Sequence, residues 1–221
     1  MIPLGGIGER FKQNGYEQPK ALIRLFSKPI LNWLLDNIKS SNRFEEIEYV
    51  YIPYNKEYDV FRFEDVIKKE YPDIKFRFLQ LHKDTEGASE TIMISLNNIL
   101  SESDKPILCL DSDNFYLDDI IGKWDGDNSI YTFRDTSELP IFSYVTSSSD
   151  NVIIDIVEKR KISNDACTGA YAFSSFHNLH RYCKLIVDNN IRQNGEYYTS
   201  TAIKKMLEDG VTFNKIPYVG T

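Results

Sequence analysis

Cysteine is scarce in this sequence: Cys109, Cys167 and Cys183 are its three, an odd number with no C-x-x-C spacing. That argues against a disulfide framework or a cysteine metal site, and each is read as a reduced, buried, small apolar side chain. Histidine also numbers three, and His177 and His180, three apart on an expected helix, have no third ligand nearby in sequence. They are read as part of a solvated face and not as a metal site. No apolar run approaches the roughly 20 residues that cross a bilayer. The opening Met1-Ile2-Pro3-Leu4-Gly5-Gly6 lacks the basic start and small-residue cleavage site of a signal peptide. A soluble cytoplasmic chain with no membrane partner is expected. Basic residues are outnumbered, 26 against 33 acidic, for a net charge of −7. A wide nucleic-acid face needs clustered Lys and Arg, so no nucleic-acid partner is expected, whereas a small anionic ligand needs only a few local cations.

What the chain does contain is core material. Of its 221 residues 42% are hydrophobic, enough for one sizeable domain. Short β-branched runs alternate with helix-period segments, the pattern of α/β architecture. Strands are expected at 2–4, 47–51, 76–81, 107–110 and 170–173, and a hairpin from 142–146 and 152–157 around Ser147-Ser148-Ser149-Asp150. Helices are expected from Ile30 after Pro29, over 60–71, 89–100 and 176–189, and over 198–208 with Gly210 ending the last. Asp118 and Asp119 are expected to start a further helix. Nothing reads as a linker or repeat. The chain is taken as one domain with two lobes, an α/β half over 1–135 and a mixed half over 136–221.

Three groups of residues carry chemistry. The first is Gly5-Gly6-Ile7-Gly8-Glu9-Arg10-Phe11, directly after the first strand, where open α/β sheets gather ligands. Glycines let backbone approach a triphosphate, and Leu4, Gly5, Gly6 and Gly8 are the candidate nucleotide-binding positions. Arg10 and, after Pro19, Lys20 bring the two cations that pyrophosphate departure needs. The loop is neither the Walker pattern nor the dinucleotide fingerprint, since Phe11 stands where the last glycine belongs. The second group is Asp111-Ser112-Asp113, just past the strand Ile107-Leu108-Cys109-Leu110, with carboxylates of the kind Mg²⁺ takes. The third is Glu158-Lys159 with Thr168-Gly169. Taken alone, Glu158-Lys159-Arg160-Lys161 reads more readily as a surface charge cluster, and its place after the first two groups is what favours a functional role.

Gly5-Gly6-x-Gly8-x-Arg10-Phe11 followed by Pro19-Lys20-Ala21-Leu22-Ile23 resembles the signature of the sugar-phosphate nucleotidyltransferases. That family includes glucose-1-phosphate thymidylyltransferases, UDP-sugar pyrophosphorylases and the related phosphocholine cytidylyltransferases. The later segments fall in the family order, so the resemblance covers nearly the whole chain. It implies a three-layer α/β/α, Rossmann-like mixed sheet of the kind also used by GT-A glycosyltransferases. It also implies Mg²⁺ as cofactor, with an NTP and a phosphorylated small molecule as partners. Asp113 becomes the metal ligand with Asp111 beside it on the substrate side. Glu86, Gly87 and Ala88 face the nucleotide base, and Glu158, Lys159, Thr168 and Gly169 line the acceptor pocket. Glu196, in Asn194-Gly195-Glu196-Tyr197-Tyr198, is a candidate second metal ligand, although better known relatives carry an Asp in that region. The ending Tyr218-Val219-Gly220-Thr221 resembles a Gly-Thr step past which relatives continue, which implies a further domain beyond Thr221. The rival chemistry, a glycosyltransferase using Asp111 and Asp113, leaves Gly5 to Lys20 without a task. A regulatory relative without turnover would keep the fold and lose the reaction.

Overall fold

The structure, a computed structural model, describes residues 1–6 and 8–218, with the side chains of Glu9 and Arg10 outside that description. It falls into two compact units. One comprises Met1–Thr85 and Leu110–Lys123, the other Glu86–Cys109 and 124–218.

The first unit is built on a parallel strand pair. After α1 (Glu9–Gln13) come the two-residue strands β1 (Arg24–Leu25) and β2 (Lys28–Pro29), antiparallel to each other, and then α2 (Ile30–Lys39). Pro29 sits at the N-cap of α2 with φ −55°, where a missing N–H costs nothing. Leu31, Leu34, Leu35 and Ile38 recur at helical spacing and are all buried. β3 (Val50–Asn55) runs parallel to β4 (Phe76–Leu81), and the crossover between them carries α3 (Phe63–Glu70). The segment before the glycine loop adds to the other edge of β3. The Ile2 N–H donates to the Tyr51 carbonyl at 2.9 Å, Leu4 N–H to Pro53 at 2.8 Å, and Asn55 N–H to Leu4 at 3.1 Å. Pro53 therefore serves that ladder as an acceptor, so its lack of an N–H does not stop the strand.

The second unit opens with α4 (Ala88–Asn97) and holds a mixed sheet. Its strands are β5 (Ile107–Leu110), β6 (Ser129–Arg134), β7 (Ser143–Ser147), β8 (Ile153–Glu158), β9 (Asp165–Phe173) and β10 (Asn214–Pro217), with α5 (Phe176–Asp188) and α6 (Thr199–Glu208) between β9 and β10. The order is β10-β6-β9-β7-β8, and β5 also pairs with β9. β10 is parallel to β6, while β6–β9, β9–β7 and β7–β8 are antiparallel. Tyr131, Tyr144, Tyr182, Phe173 and Phe213 are fully buried and fill this unit's core. Fold class stands as expected: mixed α/β, with a mixed multi-strand sheet and helices.

Several local expectations change. β6 and β10 were not expected, and β3 runs on past 51 to Asn55. Asp118 and Asp119 start no helix. Asp119 accepts instead from the backbone N–H of Gly122 at 2.8 Å and of Asn42 at 3.0 Å, pinning a turn. His180 is not solvated: it is buried on α5 and bonded through Nε2 to Asn97 Oδ1 at 2.8 Å. The three cysteines are free and buried.

One buried acid gives the second unit a pH limit. Asp135, just past β6, accepts from the Tyr144 hydroxyl at 2.6 Å and from the Ser137 N–H at 2.9 Å. These bonds, aided by Lys161, hold its carboxyl at about 2. A depressed carboxyl stabilises the fold above its ordinary range near about pH 4 and ceases to as pH falls toward the folded value. Asp135→Asn is therefore expected to flatten the acid limb of the melting-temperature profile between about pH 4 and 2, read by thermal denaturation across that range.

Candidate active site

In the first unit the glycine loop leaves the sheet immediately after Leu4, which is buried. Gly5 is buried too, and its carbonyl accepts from Thr85 N–H at 3.5 Å, whereas Gly6 is exposed. Gly8 caps α1 with φ 61° and ψ 36°, the left-handed region that glycine enters without a Cβ penalty. A Cβ there would lie 3.6 Å from the Lys20 Cβ, an ordinary contact, so the demand at Gly8 is conformational and not spatial.

Lys20 opens a 3₁₀ turn, Lys20–Leu22, that begins after Pro19. Its ammonium forms an ion pair with Asp113 Oδ2 and stands 5.4 Å from the centroid of the Phe11 ring. Phe11 is held edge-on against Tyr16 at 5.7 Å. The two acids reach this place because Leu110, the last residue of β5, donates its N–H to the Met1 carbonyl at 2.9 Å. The turn that follows is closed by Asn114 N–H on the Asp111 carbonyl at 3.5 Å. Tyr58 lies beneath: burial, with the charges of Glu57 and Asp113, pushes its hydroxyl up, and it hydrogen-bonds the Ala21 backbone beside Lys20. Tyr58 is a supporting residue that no sequence spacing revealed. The glycine loop, Lys20 and Asp113 thus meet within one unit, although they are far apart in sequence. Arg10 belongs to α1 by its backbone, and its side chain lies outside the described residues.

In the second unit, Glu86, Gly87 and Ala88 form the entry to α4. Glu86 accepts from Arg192 Nη2 at 2.7 Å, and the Glu86 carbonyl accepts from Tyr197 N–H at 2.9 Å. Gly87 has φ 140°, and a Cβ built there would fall 2.5 Å from both the N and the O of Tyr197. The segment it presses against is a tight turn whose Asn194 and Gly195 both have positive φ, as an Asn-Gly hairpin turn requires. Gln193 and Glu196 pair across it through both backbone bonds, at 3.1 and 2.9 Å. The Glu196 side chain is exposed at the turn's edge.

Glu158 ends β8 and is buried, with Oε2 accepting from the Ser143 hydroxyl and, at 2.8 Å, from the Ser200 hydroxyl. Lys159 follows at φ 49° and directs its Nζ to the Tyr198 hydroxyl at 2.6 Å. Burial pushes that hydroxyl up and the Lys159 hydrogen bond opposes the shift. Tyr198 is a partner the sequence reading missed; its only signal was the adjacent Tyr197-Tyr198 pair. Thr168 and Gly169 fall where the β6–β9 register slips between Ile130 and Thr132, and Gly169 supplies the positive φ of 84° that this bulge uses.

Among the described residues no group of three or more His, Cys, Asp or Glu side chains could hold a metal by itself. The donor set after β5 still fits Mg²⁺, which usually takes one or two carboxylates and completes its shell with water and substrate phosphate. No helix among the described residues is long and apolar enough to cross a membrane.

No protein-family model matches the chain. Two curated relatives, each named bifunctional protein GlmU and drawn from two strains of Methanococcus maripaludis, are 25% identical to it over 211 and 212 residues. The match takes in 95% of this chain and 47% of each relative, so the chain spans about half the length of the curated relatives it matches. Among solved structures, the nucleoside-diphosphate-sugar pyrophosphorylase of Vibrio cholerae RC9 superposes with a TM-score of 0.81 at 20% identity, covering 98% of this chain and 91% of that one. The inositol-1-phosphate CTP transferase of T. maritima superposes with a TM-score of 0.72 at 12% identity, covering 98% and 84%. The resemblance carried by Gly5 to Ile23 therefore extends to the whole backbone, and the chain has the mixed α/β fold of sugar-phosphate nucleotidyltransferases.

Proposed function

We propose that the chain is a nucleotidyltransferase that joins an NTP to a phosphorylated small molecule, a sugar phosphate, and releases pyrophosphate. Synthesis of precursors for surface polysaccharides or glycoconjugates is the setting such a product serves. The observation that carries this reading is the meeting of Lys20 with Asp113 beside the glycine loop. Three sequence-distant segments converge there with the charges that nucleotidyl transfer needs.

In the reaction, an oxygen of the acceptor phosphate attacks the α-phosphorus of the NTP in line, and the bond to the β,γ-pyrophosphate breaks. The attacking oxygen is already ionised at neutral pH, so no general base is required. Positioning and charge neutralisation do the catalysis. Gly5, Gly6 and Gly8 let the backbone approach the triphosphate, and Arg10 and Lys20 take the charge that builds on the leaving group. Asp113, with Asp111 beside it, would hold Mg²⁺, which when bound neutralises nucleotide oxygens. Glu86, Gly87 and Ala88 shape the nucleotide side, while Glu158, Lys159, Thr168 and Gly169 line the acceptor side, with Glu196 as a further metal-ligand candidate. A cytidylyltransferase acting on a non-sugar phosphate such as phosphocholine would use the same groups.

The test is pyrophosphate release with Mg²⁺, each of the four common NTPs being crossed against sugar 1-phosphates, inositol 1-phosphate and phosphocholine. Release that requires one NTP and one acceptor together is the expected result. Transfer of sugar from a nucleotide sugar, with no pyrophosphate release across the panel, would move the chain to the glycosyltransferase chemistry.

A further inference from the structure

Lys159 is held differently from other lysines of the second unit. Lys161, Lys184, Lys204, Lys205 and Lys215 each face a carboxylate, that of Asp135, Asp188, Asp155, Glu208 and Asp165 in turn. The Lys159 ammonium instead donates to the Tyr198 hydroxyl at 2.6 Å and stands 4.8 Å from the centroid of the same ring. The adjacent acid makes no ion pair with it among the described residues, since Glu158 Oε2 accepts from the Ser143 and Ser200 hydroxyls. A carboxylate would fix an ammonium and offset its charge. A phenol fixes it and leaves the charge whole, and burial keeps the Tyr198 hydroxyl protonated. One of three ammonium donors is used in this way, and two stay available to an anion.

Both partners are anchored at their backbones. Lys159 has φ 49°, a left-handed conformation uncommon for a residue with a Cβ, and its N–H donates to the Phe142 carbonyl at 2.8 Å. Such a conformation persists only where its surroundings over-determine it. Tyr198 is the N-cap of α6, and its carbonyl accepts from the Thr201 N–H at 3.1 Å and from the Ser89 hydroxyl at 3.0 Å. Tyr197, just before it, is tied through its backbone to Glu86 and Ser89. The phenol therefore reaches Lys159 from a backbone fastened to the entry of α4.

We propose that Tyr198 is a positioning residue for the transfer reaction, its hydroxyl holding the Lys159 ammonium in place without neutralising it. The inference rests on the part given to Lys159 in the proposed function. Because the Tyr198 carbonyl is bonded to Ser89, next to Glu86, Gly87 and Ala88, the lysine's place is set from the nucleotide side of this unit. Tyr198 thus links two groups of residues that the reaction needs in register, and acts on the acceptor only through Lys159.

Trace acetylation of the full chain, each lysine being read by mass spectrometry, tests the hold without turnover. Lys159 should react severalfold faster in Tyr198→Phe than in the wild type, while Lys204 and Lys215 keep their wild-type rates. The variant retains the ring, so the difference reports the hydroxyl alone. In steady-state kinetics Tyr198→Phe should raise the acceptor KM about tenfold and leave the NTP KM unchanged. In a Lys159→Ala background the same substitution should have no further effect, whereas a merely structural role would persist there. Equal labelling of Lys159 in the two proteins, or an undiminished effect of Tyr198→Phe in the Lys159→Ala background, would overturn the proposal. Faster labelling of Lys159 in a chain that releases no pyrophosphate with any substrate pair would uphold the grip of Tyr198 and count against nucleotidyl transfer itself.

Discussion

Replacing Lys20 with alanine is expected to cut pyrophosphate release by about 100- to 1,000-fold, the usual loss when one fixed donor to a developing charge is removed. The size follows from how Lys20 is placed. Its stem rises from a turn that begins after Pro19, Phe11 flanks the ammonium, and Asp113 fixes the head. A cation fixed in advance needs no reorganisation when the leaving group becomes negative, which is why its removal falls on kcat more than on substrate KM. Asp113→Asn should also cost heavily. Because the two side chains touch, the double variant should lose less than the product of the single losses. Steady-state kinetics on variants that keep the wild-type circular dichroism measures this. A loss below tenfold in Lys20→Ala would remove the residue from the mechanism.

Gly87→Ala is expected to destabilise the second unit by about 3–5 kcal/mol, a sum of backbone strain and forced overpacking. The residue has φ 140°, which L side chains rarely adopt, and the new methyl would fall 2.5 Å from two backbone atoms of Tyr197. Neither neighbour can yield cheaply. Tyr197 is tied on both sides, its N–H to the Glu86 carbonyl at 2.9 Å and its carbonyl to Ser89 N–H at 3.0 Å. At this chain length the loss corresponds to a fall of about 10 °C in Tm. Thermal and urea denaturation report it directly, and a change under about 1 kcal/mol would show that the turn relaxes. Ligand-free stability is the proper readout, because it separates a packing demand at Gly87 from contact with a nucleotide.

Where the sequence was legible, local physics decided the outcome. β4 and β5 lie over the expected residues, and α5 over all but the last of them, because short apolar runs, aromatic in β4 and aliphatic in β5, and an amphipathic stripe leave few alternatives. β6 escaped because Ser129 and Thr132 interrupt its apolar pattern, yet both are buried between β10 and β9. β10 is a short, half-buried run whose only claim to strand structure is its parallel pairing with β6, far off in sequence. The β1–β2 turn places Phe26 and Ser27 at positive φ without the Asn-Gly that signals such turns elsewhere. In the candidate site, the glycine loop, Lys20 and Asp113 were readable as a motif in fixed order. Tyr58, Tyr198 and Arg192 were not, since each serves through a partner that only the folded chain supplies.

The polypeptide passes from one compact unit to the other at 85–86, at 109–110 and again at 123–124. During synthesis the first unit stays incomplete until residue 123 has left the ribosome, by which time α4 and most of β5 are already waiting for strands that come later. A single cut in the chain cannot release either unit whole, and no single crossover in recombination can exchange one for a homologue's. Change of specificity in such a chain has to come by substitution within segments, or by paired exchange at two junctions, and not by swapping a module.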